Sequence, residues 1–570
     1  MKQRYIHQSI LVLSLMALSF SVSAQKRQGN IVEYFGKEKI NEVQEGKVTH
    51  IFKEGLYLKS KRSALNSLSF PTDKVFRDFL MTHKTVSEGE TGAIDDTGTP
   101  QYWTKISADS TSTFNNSALR GSYVYLSYQS NTNEIVLFEA SGHTQVLING
   151  FPHEGDYYDF GYSLIPIKLK KGLNVFVLKA GRFPRVRARL IKPKSETLFT
   201  QRDMTLPDLL IGEPINYKGA IRVVNASENW VRNHSIQLEH LGKTLETDIP
   251  SIPPMSVRKV GFGIPEVEDG IEPQESKLKL HLQNNQNAIL DTQEVAIAIK
   301  SKSHKHKRTF ISQMDNSVQY FSVAPSSNQD LEQGALFLSV HGASVEAVNQ
   351  ANAYKPKDWG HVVAPTNRRP FGFAWEDWGR LDALEVLAEG KRIYQPNPQK
   401  IYLTGHSMGG HGTWYLGATY PDKFAAIAPC AGYPDLLGYR DSFVKRALSA
   451  SEAQLKQWGI TPKMLEEMQK KPQLTDIDHM ILRAGNPSRT LKLKRNYLQQ
   501  GIYVLHGEKD NVVPTFIARE MREELGKFHP DFTYYEYPGG THWYGDHSMD
   551  WPPIFKLFKE RTIKPDSLIN

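Results

Sequence analysis

The sequence has very little cysteine. Cys430 is the single cysteine among 570 residues, so no disulfide forms within the chain. This excludes the disulfide-rich secreted scaffolds and suits a bacterial periplasm or medium better than a eukaryotic extracellular protein. Cys430 lies in an apolar stretch, residues 425–431, with no histidine motif beside it. We therefore expect it to pack in a core rather than act as a nucleophile.

Long apolar runs are also lacking. Beyond the N-terminus, no segment approaches the roughly 18 apolar residues that cross a membrane. At the N-terminus, Lys2 and Arg4 precede an apolar core at residues 10–20, and Ala24 stands at a small-residue exit. This pattern is typical of a secretory signal, and we predict a cleaved signal peptide at residues 1–24. No cysteine follows it as a lipid anchor, so we expect an exported protein, periplasmic or secreted.

A strong charge imbalance is absent too. The net charge of +8 is modest for this length, and the basic run 300–308 holds much of it. We interpret the run as a solvated interdomain linker; binding of an acidic glycan, or of a metal by its two histidines, is the alternative. No nucleic-acid recognition motif accompanies it, so we expect no nucleic-acid partner. A hydrophobic content of 39% is ample for packed cores in about three domains.

The most informative motif is G-H-S-M-G at residues 405–409. A β-branched apolar run, 401–404, precedes it, and a helix-compatible segment, 411–420, follows it. In this strand–turn–helix setting the serine hydroxyl stands exposed at the start of a helix, where the helix dipole favours developing negative charge. We predict that Ser407 is a catalytic nucleophile.

A serine nucleophile needs a histidine base and a carboxylate that orients it. Asp510 follows the apolar strand 501–505, at the edge where the carboxyl ends of parallel strands gather ligands; Glu508 is the alternative acid. After the aromatic-rich strand 532–537 and its Pro-Gly-Gly break comes His542, with His547 as the competing base. We predict a Ser407–Asp510–His542 triad, in the chain order of α/β-hydrolases.

The oxyanion hole needs two preorganised N–H donors. We predict one at Met408, the residue after the nucleophile. The apolar strand 335–340 runs into His-Gly-Ala-Ser, and we assign the second donor to the backbone of Ala343, with Gly342 permitting close approach.

Several ordered blocks then resemble a known family. The blocks are HGAS, PTNRRPFGFAWEDWGRLDALEVL, GHSMGGHGTWYLGATYPDKFAAIAPCAGYPD, LHGEKDNVVP and GGTHW. They resemble the catalytic domain of the prolyl oligopeptidase family and its relatives, including feruloyl esterases and polyhydroxyalkanoate depolymerases. The resemblance implies an eight-stranded, mostly parallel sheet and the same three triad residues. The β-propeller that filters substrates in prolyl oligopeptidases would repeat every 40 to 50 or so residues, and no such repeat occurs before residue 307.

The region before the hydrolase is predicted to be all-β. Short alternating runs between residues 102 and 193, with Asn149-Gly150 and Lys171-Gly172 as hairpin turns, resemble galactose-binding jelly-roll modules. Such a module binds sugar or only braces its neighbour; its platform candidates are Trp103, Tyr157 and Tyr158. The predicted divisions are the signal (1–24), an uncertain region that supplies edge strands or a helix (25–98), a jelly-roll-like sandwich (99–200), an immunoglobulin-like sandwich (201–303) and an α/β-hydrolase (304–570).

Residues around the predicted site suggest how substrate binds. Helical periodicity at about 436–490 predicts an inserted lid, with extra scaffold as the alternative. Arg368 and Arg369 either pair with a substrate carboxylate or anchor the acidic Glu376 and Asp377. Trp378 and Trp543 offer aromatic surface for a ring-bearing or sugar substrate, as do Trp359 and Trp375.

The sequence therefore predicts an exported serine hydrolase without metal or cofactor. We favour a carboxylic ester hydrolase acting on a small-molecule or polysaccharide ester, with acylated carbohydrate as one candidate. A serine peptidase of the prolyl oligopeptidase family is the first alternative. The second is a non-catalytic carbohydrate-binding protein that retains the fold. No motif addresses the oligomeric state.

Overall fold

The structure is a computed structural model. It describes residues 43–59, 73–94, 98–156, 160–181, 184–215, 217–368, 372–457, 460–469 and 474–564. The predicted signal peptide, together with Tyr157, Tyr158 and Arg369, lies outside the described residues. Within the described ranges, no helix has both the length and the apolar character needed to span a membrane.

The first region contains two antiparallel sheets packed face to face and a separate two-stranded sheet of β3 and β4. One has the order β1-β13-β8-β11 with β6 beside β13, and the other has the order β10-β9-β12-β7-β2-β5. Phe138 of the first sheet stacks on Phe176 of the second, with ring centroids 5.0 Å apart. The strands are β1 (Gly46–Ile51), β2 (Glu54–Leu58), β3 (Thr91–Ile94), β4 (Pro100–Tyr102), β5 (Thr104–Ser107), β6 (Phe114–Asn115), β7 (Tyr123–Ser130), β8 (Glu134–Ser141), β9 (His143–Ile148), β10 (Phe151–Glu154), β11 (Leu164–Leu169), β12 (Gly172–Ala180) and β13 (Arg185–Pro193).

Two strands and a helix from the described residues before position 98 pack with this pair of sheets. β1 and β2 pair with later strands, and helix α1 (Lys74–Phe79) packs Phe79 edge-on against Trp103 at 6.0 Å. Trp103 is only 1% exposed, so it is a core residue rather than the sugar platform considered from the sequence. The Asn149-Gly150 turn joins the paired strands β9 and β10 as predicted. The Lys171-Gly172 prediction was wrong, because that turn links β11 and β12, which lie in different sheets.

The second region also contains two sheets, with the orders β14-β16-β19 and β15-β21-β20-β17-β18. Its pairings are antiparallel except for β15 with β21. One apolar cluster, which includes Phe199, Ile221, Leu238 and Leu280, joins the sheets. The strands are β14 (Thr197–Thr205), β15 (Leu209–Leu210), β16 (Tyr217–Asn225), β17 (Ser235–His240), β18 (Lys243–Asp248), β19 (Ser256–Ile264), β20 (Gln274–Gln283) and β21 (Ile289–Lys300). The jelly-roll and immunoglobulin assignments stay predictions.

The basic run 300–308 is a solvated linker only in its middle, where residues 302–304 form an exposed turn; its ends are engaged by other residues. Lys300 donates to Asp208 at 2.8 Å, and Arg308 pairs with Glu213 at 2.9 Å. His306 is buried and opens the first strand of the third region. The acidic partners lie far away in the sequence, and for that reason the run reads as free charge when considered alone.

The third region holds a sheet of order β22-β23-β25-β24-β26-β27-β28-β29. Its five pairings from β25 through to β29 are parallel, whereas β22 and β23 are antiparallel additions at one edge. The strands are β22 (His306–Ile311), β23 (Val318–Ala324), β24 (Ala335–Val340), β25 (Gly360–Ala364), β26 (Ile401–His406), β27 (Ala426–Cys430), β28 (Gly501–Gly507) and β29 (Phe532–Tyr537).

Helices cover both faces of this sheet, which explains why its central strands are apolar throughout. Along β24, Leu336 and Leu338 face one apolar cluster, while Ala335 and Phe337 face the other. Cys430 is buried in the second cluster, as predicted for a packing residue. The covering helices are α2 (Ala347–Asn352), α3 (Asp377–Tyr394), α4 (Met408–Thr419), α9 (Thr515–Gly526) and α10 (Pro552–Lys559).

A helical insertion separates β27 from β28, where the sequence predicted a lid. Its first helix packs Phe443 and Ala447 against Ile460. The last of its helices has no buried side chain among those described. The insertion helices are α5 (Leu436–Leu448), α6 (Glu452–Gln457), α7 (Pro462–Gln469) and α8 (Asp476–Ala484).

Candidate active site

Ser407 occupies a strained turn between β26, which ends at His406, and α4, which begins at Met408. Its backbone has φ 61° and ψ −119°, an unusual conformation for a residue with a side chain. The turn is possible because glycine follows: a Cβ at Gly409 would overlap the carbonyl oxygen of Val340. The Ser407 side chain makes no capping bond to its own helix. The hydroxyl is therefore available to a partner outside the helix.

The structure brings the three predicted triad residues together. His542 Nε2 lies 2.9 Å from Ser407 Oγ, and His542 Nδ1 lies 2.8 Å from Asp510 Oδ2. Ser407 follows β26, Asp510 follows β28 and His542 follows β29. These strands are close together in the parallel sheet, because β28 and β29 are adjacent and only β27 separates β26 from β28. When a hydroxyl, an imidazole and a carboxylate are hydrogen-bonded in this order, the imidazole can take the proton from the hydroxyl oxygen.

Asp510 is held by its own loop. Its Oδ1 accepts hydrogen bonds from the backbone N–H groups of Val512 and Val513, at 2.9 and 3.0 Å. Burial alone would raise the pKa of Asp510, but the charge of His542 and hydrogen bonds from His506 and His542 outweigh it, so the pKa lies well below its ordinary value. The carboxylate is therefore ionised and ready to stabilise an imidazolium.

Two further histidines, which the sequence analysis missed, surround the triad. His406 donates from Nε2 to the backbone carbonyl of His542 at 2.7 Å, and burial lowers the pKa of His406 to about 3, so its ring is neutral. His506 Nε2 lies 2.8 Å from the Val513 carbonyl and 3.3 Å from Asp510 Oδ2. Each lies within a motif already singled out: His406 directly precedes Ser407, and His506 lies near the end of β28, the strand that leads to Asp510.

The loop after β24 passes directly beside the serine. A Cβ at Gly342 would stand 3.2 Å from the His406 carbonyl and 3.4 Å from Ser407 Cβ, so glycine permits the approach that the sequence predicted. Within the described ranges, the N–H groups of Ala343 and Met408 have no hydrogen-bond acceptor. Two unengaged donors thus flank the Ser407 side chain, in the two stretches of chain predicted to form an oxyanion hole.

Arg368 is not free to bind substrate, contrary to the first interpretation of the sequence. Its guanidinium lies 3.0 Å from Glu385 and 3.5 Å from the buried Asp382, and it also donates to Ser312 at 2.8 Å. The second interpretation, a local acidic anchor, holds, although the partners differ from Glu376 and Asp377, which the sequence suggested. Asp382 and Glu385 lie about one and two turns further along α3, and only the folded helix brings them near Arg368.

The tryptophans have different environments. Trp375 is completely buried, and Trp359 packs edge-on against Phe337 at 4.9 Å, so both contribute to the core. Trp378 is 41% exposed and lies beside the Arg368 guanidinium at 5.7 Å. Trp543 contacts the ring of His406 at 5.2 Å. Of the predicted aromatic surface, only Trp543 directly contacts a residue that holds the triad.

The competing acid and base have other roles. Glu508 accepts a hydrogen bond from the backbone of Gly539 at 2.7 Å and thereby fastens the turn after β29. His547 packs against Trp551 at 5.0 Å. Within the described part of the chain, no cluster of three or more His, Cys, Asp or Glu side chains is arranged to hold a metal.

Comparisons with known proteins agree with this architecture. The sequence profile of the Alpha/beta hydrolase family matches residues 338–551. An uncharacterized secreted protein of Arthroderma benhamiae is 30% identical over 142 residues, which cover 25% of this chain and 13% of that protein. A bifunctional acetylxylan esterase/xylanase of Neocallimastix patriciarum is 29% identical over 110 residues, covering 18% of this chain and 16% of that one.

The third relative is poly(3-hydroxyalkanoate) depolymerase C of Paucimonas lemoignei, which is 29% identical over 119 residues, covering 17% of this chain and 28% of that protein. The chain thus spans only 13% to 28% of the length of these relatives. Among solved structures, an S-formylglutathione hydrolase from Agrobacterium tumefaciens matches with 15% identity and a TM-score of 0.32, covering 46% of this chain and 97% of that one. The match to the Alpha/beta hydrolase family thus falls on the C-terminal part of this chain, residues 338–551, which contains Ser407, Asp510 and His542.

Proposed function

We propose that this protein is a serine hydrolase that cleaves carboxylic esters through an acyl-enzyme. The observation that carries the proposal is the continuous hydrogen-bonded path from Ser407 Oγ through His542 to Asp510, with distances of 2.9 and 2.8 Å. Serine alone is a weak nucleophile, and this path supplies the base and the orienting carboxylate that it needs.

In the acylation step, Ser407 Oγ attacks the ester carbonyl carbon while His542 Nε2 takes the hydroxyl proton. Throughout this step Asp510 accepts a hydrogen bond from His542 Nδ1–H. It stabilises the imidazolium without being protonated itself. The imidazolium then returns the proton to the leaving alcohol as the ester C–O bond breaks. In deacylation, His542 takes a proton from water, the hydroxide adds to the acyl carbon, and the released Ser407 oxygen regains a proton.

The developing oxyanion is held by the N–H groups of Met408 and Ala343. Met408 opens helix α4, where free backbone N–H groups and the helix dipole favour negative charge. Ala343 lies on the loop that passes beside Ser407. Both groups lack an acceptor among the described residues, which supports this role.

An ester, rather than a peptide, is the favoured substrate class. The relatives include a protein named as a bifunctional acetylxylan esterase/xylanase and one named as a poly(3-hydroxyalkanoate) depolymerase, which favours an ester substrate. We therefore infer that the substrate is an acylated carbohydrate or another oxygen ester. We also infer export of the protein, which is supported by the signal-like N-terminal pattern and by the relative named as a secreted protein.

The direct test is hydrolysis of p-nitrophenyl acetate and of acetylated xylan by the full chain and by Ser407→Ala. Removal of the nucleophile should lower kcat by about 10⁴-fold or more, because the triad acts as a unit. A matched control is Ser327→Ala, which removes the hydroxyl of an exposed serine and should leave kcat unchanged. Circular dichroism should be identical in all three proteins.

Short proline-containing peptides belong in the same assay. Cleavage of these peptides faster than of the esters would replace the esterase proposal with the peptidase. Unchanged ester turnover in Ser407→Ala would refute the serine mechanism altogether.

A further inference from the structure

The loop that carries the Ala343 donor is fastened at two points next to that donor. His341, the first residue after β24, is completely buried. Its ring nitrogens face two backbone carbonyls: Nδ1 lies 2.8 Å from the Gly342 oxygen, and Nε2 lies 2.9 Å from the Thr366 oxygen. Its own carbonyl accepts a hydrogen bond from Trp375 Nε1 at 3.0 Å.

Trp375 in turn is wedged against the helix that begins after the nucleophile. Its indole packs edge-on to His341 at 4.9 Å, and a Cβ at Gly412 would stand 2.5 Å from the indole ring. Its backbone N–H donates to Asn367 Oδ1 at 3.1 Å. One rigid side chain therefore contacts both α4, which carries Ser407 at its start, and the loop that carries Ala343.

The contacts of His341 and Trp375 with this loop, here called the clamp, are linked to the site by the geometry of the peptide unit. In a trans peptide the carbonyl oxygen and the following N–H point in opposite directions. The Gly342 oxygen is engaged by the His341 ring and by the Val345 N–H at 3.2 Å. The Ala343 N–H is consequently directed away from that side of the loop. Whatever holds the Gly342 carbonyl also sets the direction of the proposed oxyanion donor.

Backbone strain is concentrated in the same place. Asn367, Arg368, Ala374 and Trp375 all have φ between 50° and 67°, and Ser344 has φ 65°. Such conformations are costly for residues with a side chain and persist only where surrounding contacts fix them. The strained segment is thus the one that carries Trp375 and also Asn367, whose side chain accepts the Trp375 backbone N–H.

We propose that His341 and Trp375 are positioning residues that aim the Ala343 N–H at the oxyanion. The proposal rests on the serine-esterase function proposed above. Burial lowers the pKa of His341, so its ring is neutral and donates to one carbonyl at a time, whereas Trp375 Nε1 always donates. Trp375 is therefore the more constant arm of the clamp, and His341 orients the peptide that carries the donor.

The test compares an oxygen ester with the matching thionoester, in which sulfur replaces the carbonyl oxygen. Sulfur accepts hydrogen bonds poorly, so a well-aligned oxyanion hole favours the oxygen ester. Trp375→Phe keeps most of the ring but removes Nε1–H, and His341→Phe removes both ring nitrogens. We expect kcat for the oxygen ester to fall about 5–10-fold in Trp375→Phe and more in His341→Phe, less than the 10²–10³-fold or so for complete loss of a donor. The ester-to-thionoester ratio of kcat/KM should fall in parallel, with KM nearly unchanged.

Two further variants separate positioning from packing. Trp414→Phe deletes the same atoms from another buried tryptophan on α4 and should leave the ratio at the wild-type value. His341→Gln keeps a side-chain N–H and should recover part of the ratio lost in His341→Phe.

An unchanged ester-to-thionoester ratio in a folded Trp375→Phe protein would overturn the proposal, whether both substrates keep their rates or lose them equally. Those outcomes differ from failure of the serine mechanism, which would instead appear as turnover that persists in Ser407→Ala.

Discussion

Two regions differ in how their side chains are held: the edge of the sheet that carries Ser407, Asp510 and His542, here called the rim, and the last helix of the insertion, α8. At the rim, Ser407, His542 and Asp510 are joined by hydrogen bonds under 3 Å, and Asp510 has further donors from its own loop. In α8, by contrast, Ile477 is 65% exposed and Ile481 is 54% exposed. The triad positions are set by polar contacts with one geometry, whereas α8 buries none of its described side chains.

The insertion itself divides into two parts. α5 contacts the loop that carries Asp510, here called the acid loop. The Tyr439 hydroxyl donates to the Val512 carbonyl at 3.2 Å, and Arg446 donates to the Asn511 carbonyl. Its Tyr439 ring also stacks on Tyr433 at 4.2 Å. The beginning of the predicted lid therefore supports the loop of Asp510, and α6 and α7 pack on it through Leu455, Leu465 and Met468. Only α8 buries none of its described side chains.

The largest effect that would sharpen this comparison is expected at the rim. Asp510→Asn keeps the shape of the side chain but removes the charge that stabilises the His542 imidazolium. We expect kcat to fall about 10³–10⁴-fold with little change in unfolding midpoint. Steady-state kinetics with p-nitrophenyl acetate measures it, and Asp531→Asn, which only loses a pair with Arg561, is the control. A loss below tenfold would mean that another group orients His542.

A smaller effect is expected where α5 meets the acid loop. Tyr439→Phe removes one hydrogen bond to Val512, whose N–H holds Asp510. A net hydrogen bond contributes about 0.5–1.5 kcal/mol, so kcat/KM should fall about 2–10-fold. Tyr57→Phe, in the first β region, provides the baseline. If the loss appears only in KM, α5 acts on substrate rather than on Asp510.

The smallest effect is expected in α8. Ile477→Ala together with Ile481→Ala should change the free energy of unfolding by less than about 0.5 kcal/mol, because both side chains are already in water. The matched core variant Ile502→Ala, in β28, should cost about 2–5 kcal/mol. Urea unfolding followed by fluorescence compares them. A large destabilisation from the α8 pair would show that the helix is packed in solution.

The sequence predicted the parts of this structure that depend on local order. The strand before Ser407 and the helix after it were readable from residues 401–420, and so were the apolar strands that end near Asp510 and His542. These segments are short, continuous and rich in residues with one structural meaning. The catalytic role of the three residues stays a prediction until an activity is measured.

Contacts between distant segments were not readable. Asp382 and Glu385 hold Arg368 only because α3 folds back beside the β25 loop. His341 and Trp375 meet across 34 residues, and nothing in either neighbourhood indicates a hydrogen bond. The orientation of a buried indole depends on the packed neighbours, and sequence periodicity does not encode it.

The central claim is that Ser407 is chemically activated by His542. Mass spectrometry after exposure to a fluorophosphonate measures this directly, because only an activated serine reacts quickly with the reagent. The account predicts one adduct per chain, on the peptide containing Ser407, with labelling strongly slowed in His542→Ala. Absence of an adduct on Ser407, or equally fast labelling in His542→Ala, would contradict it.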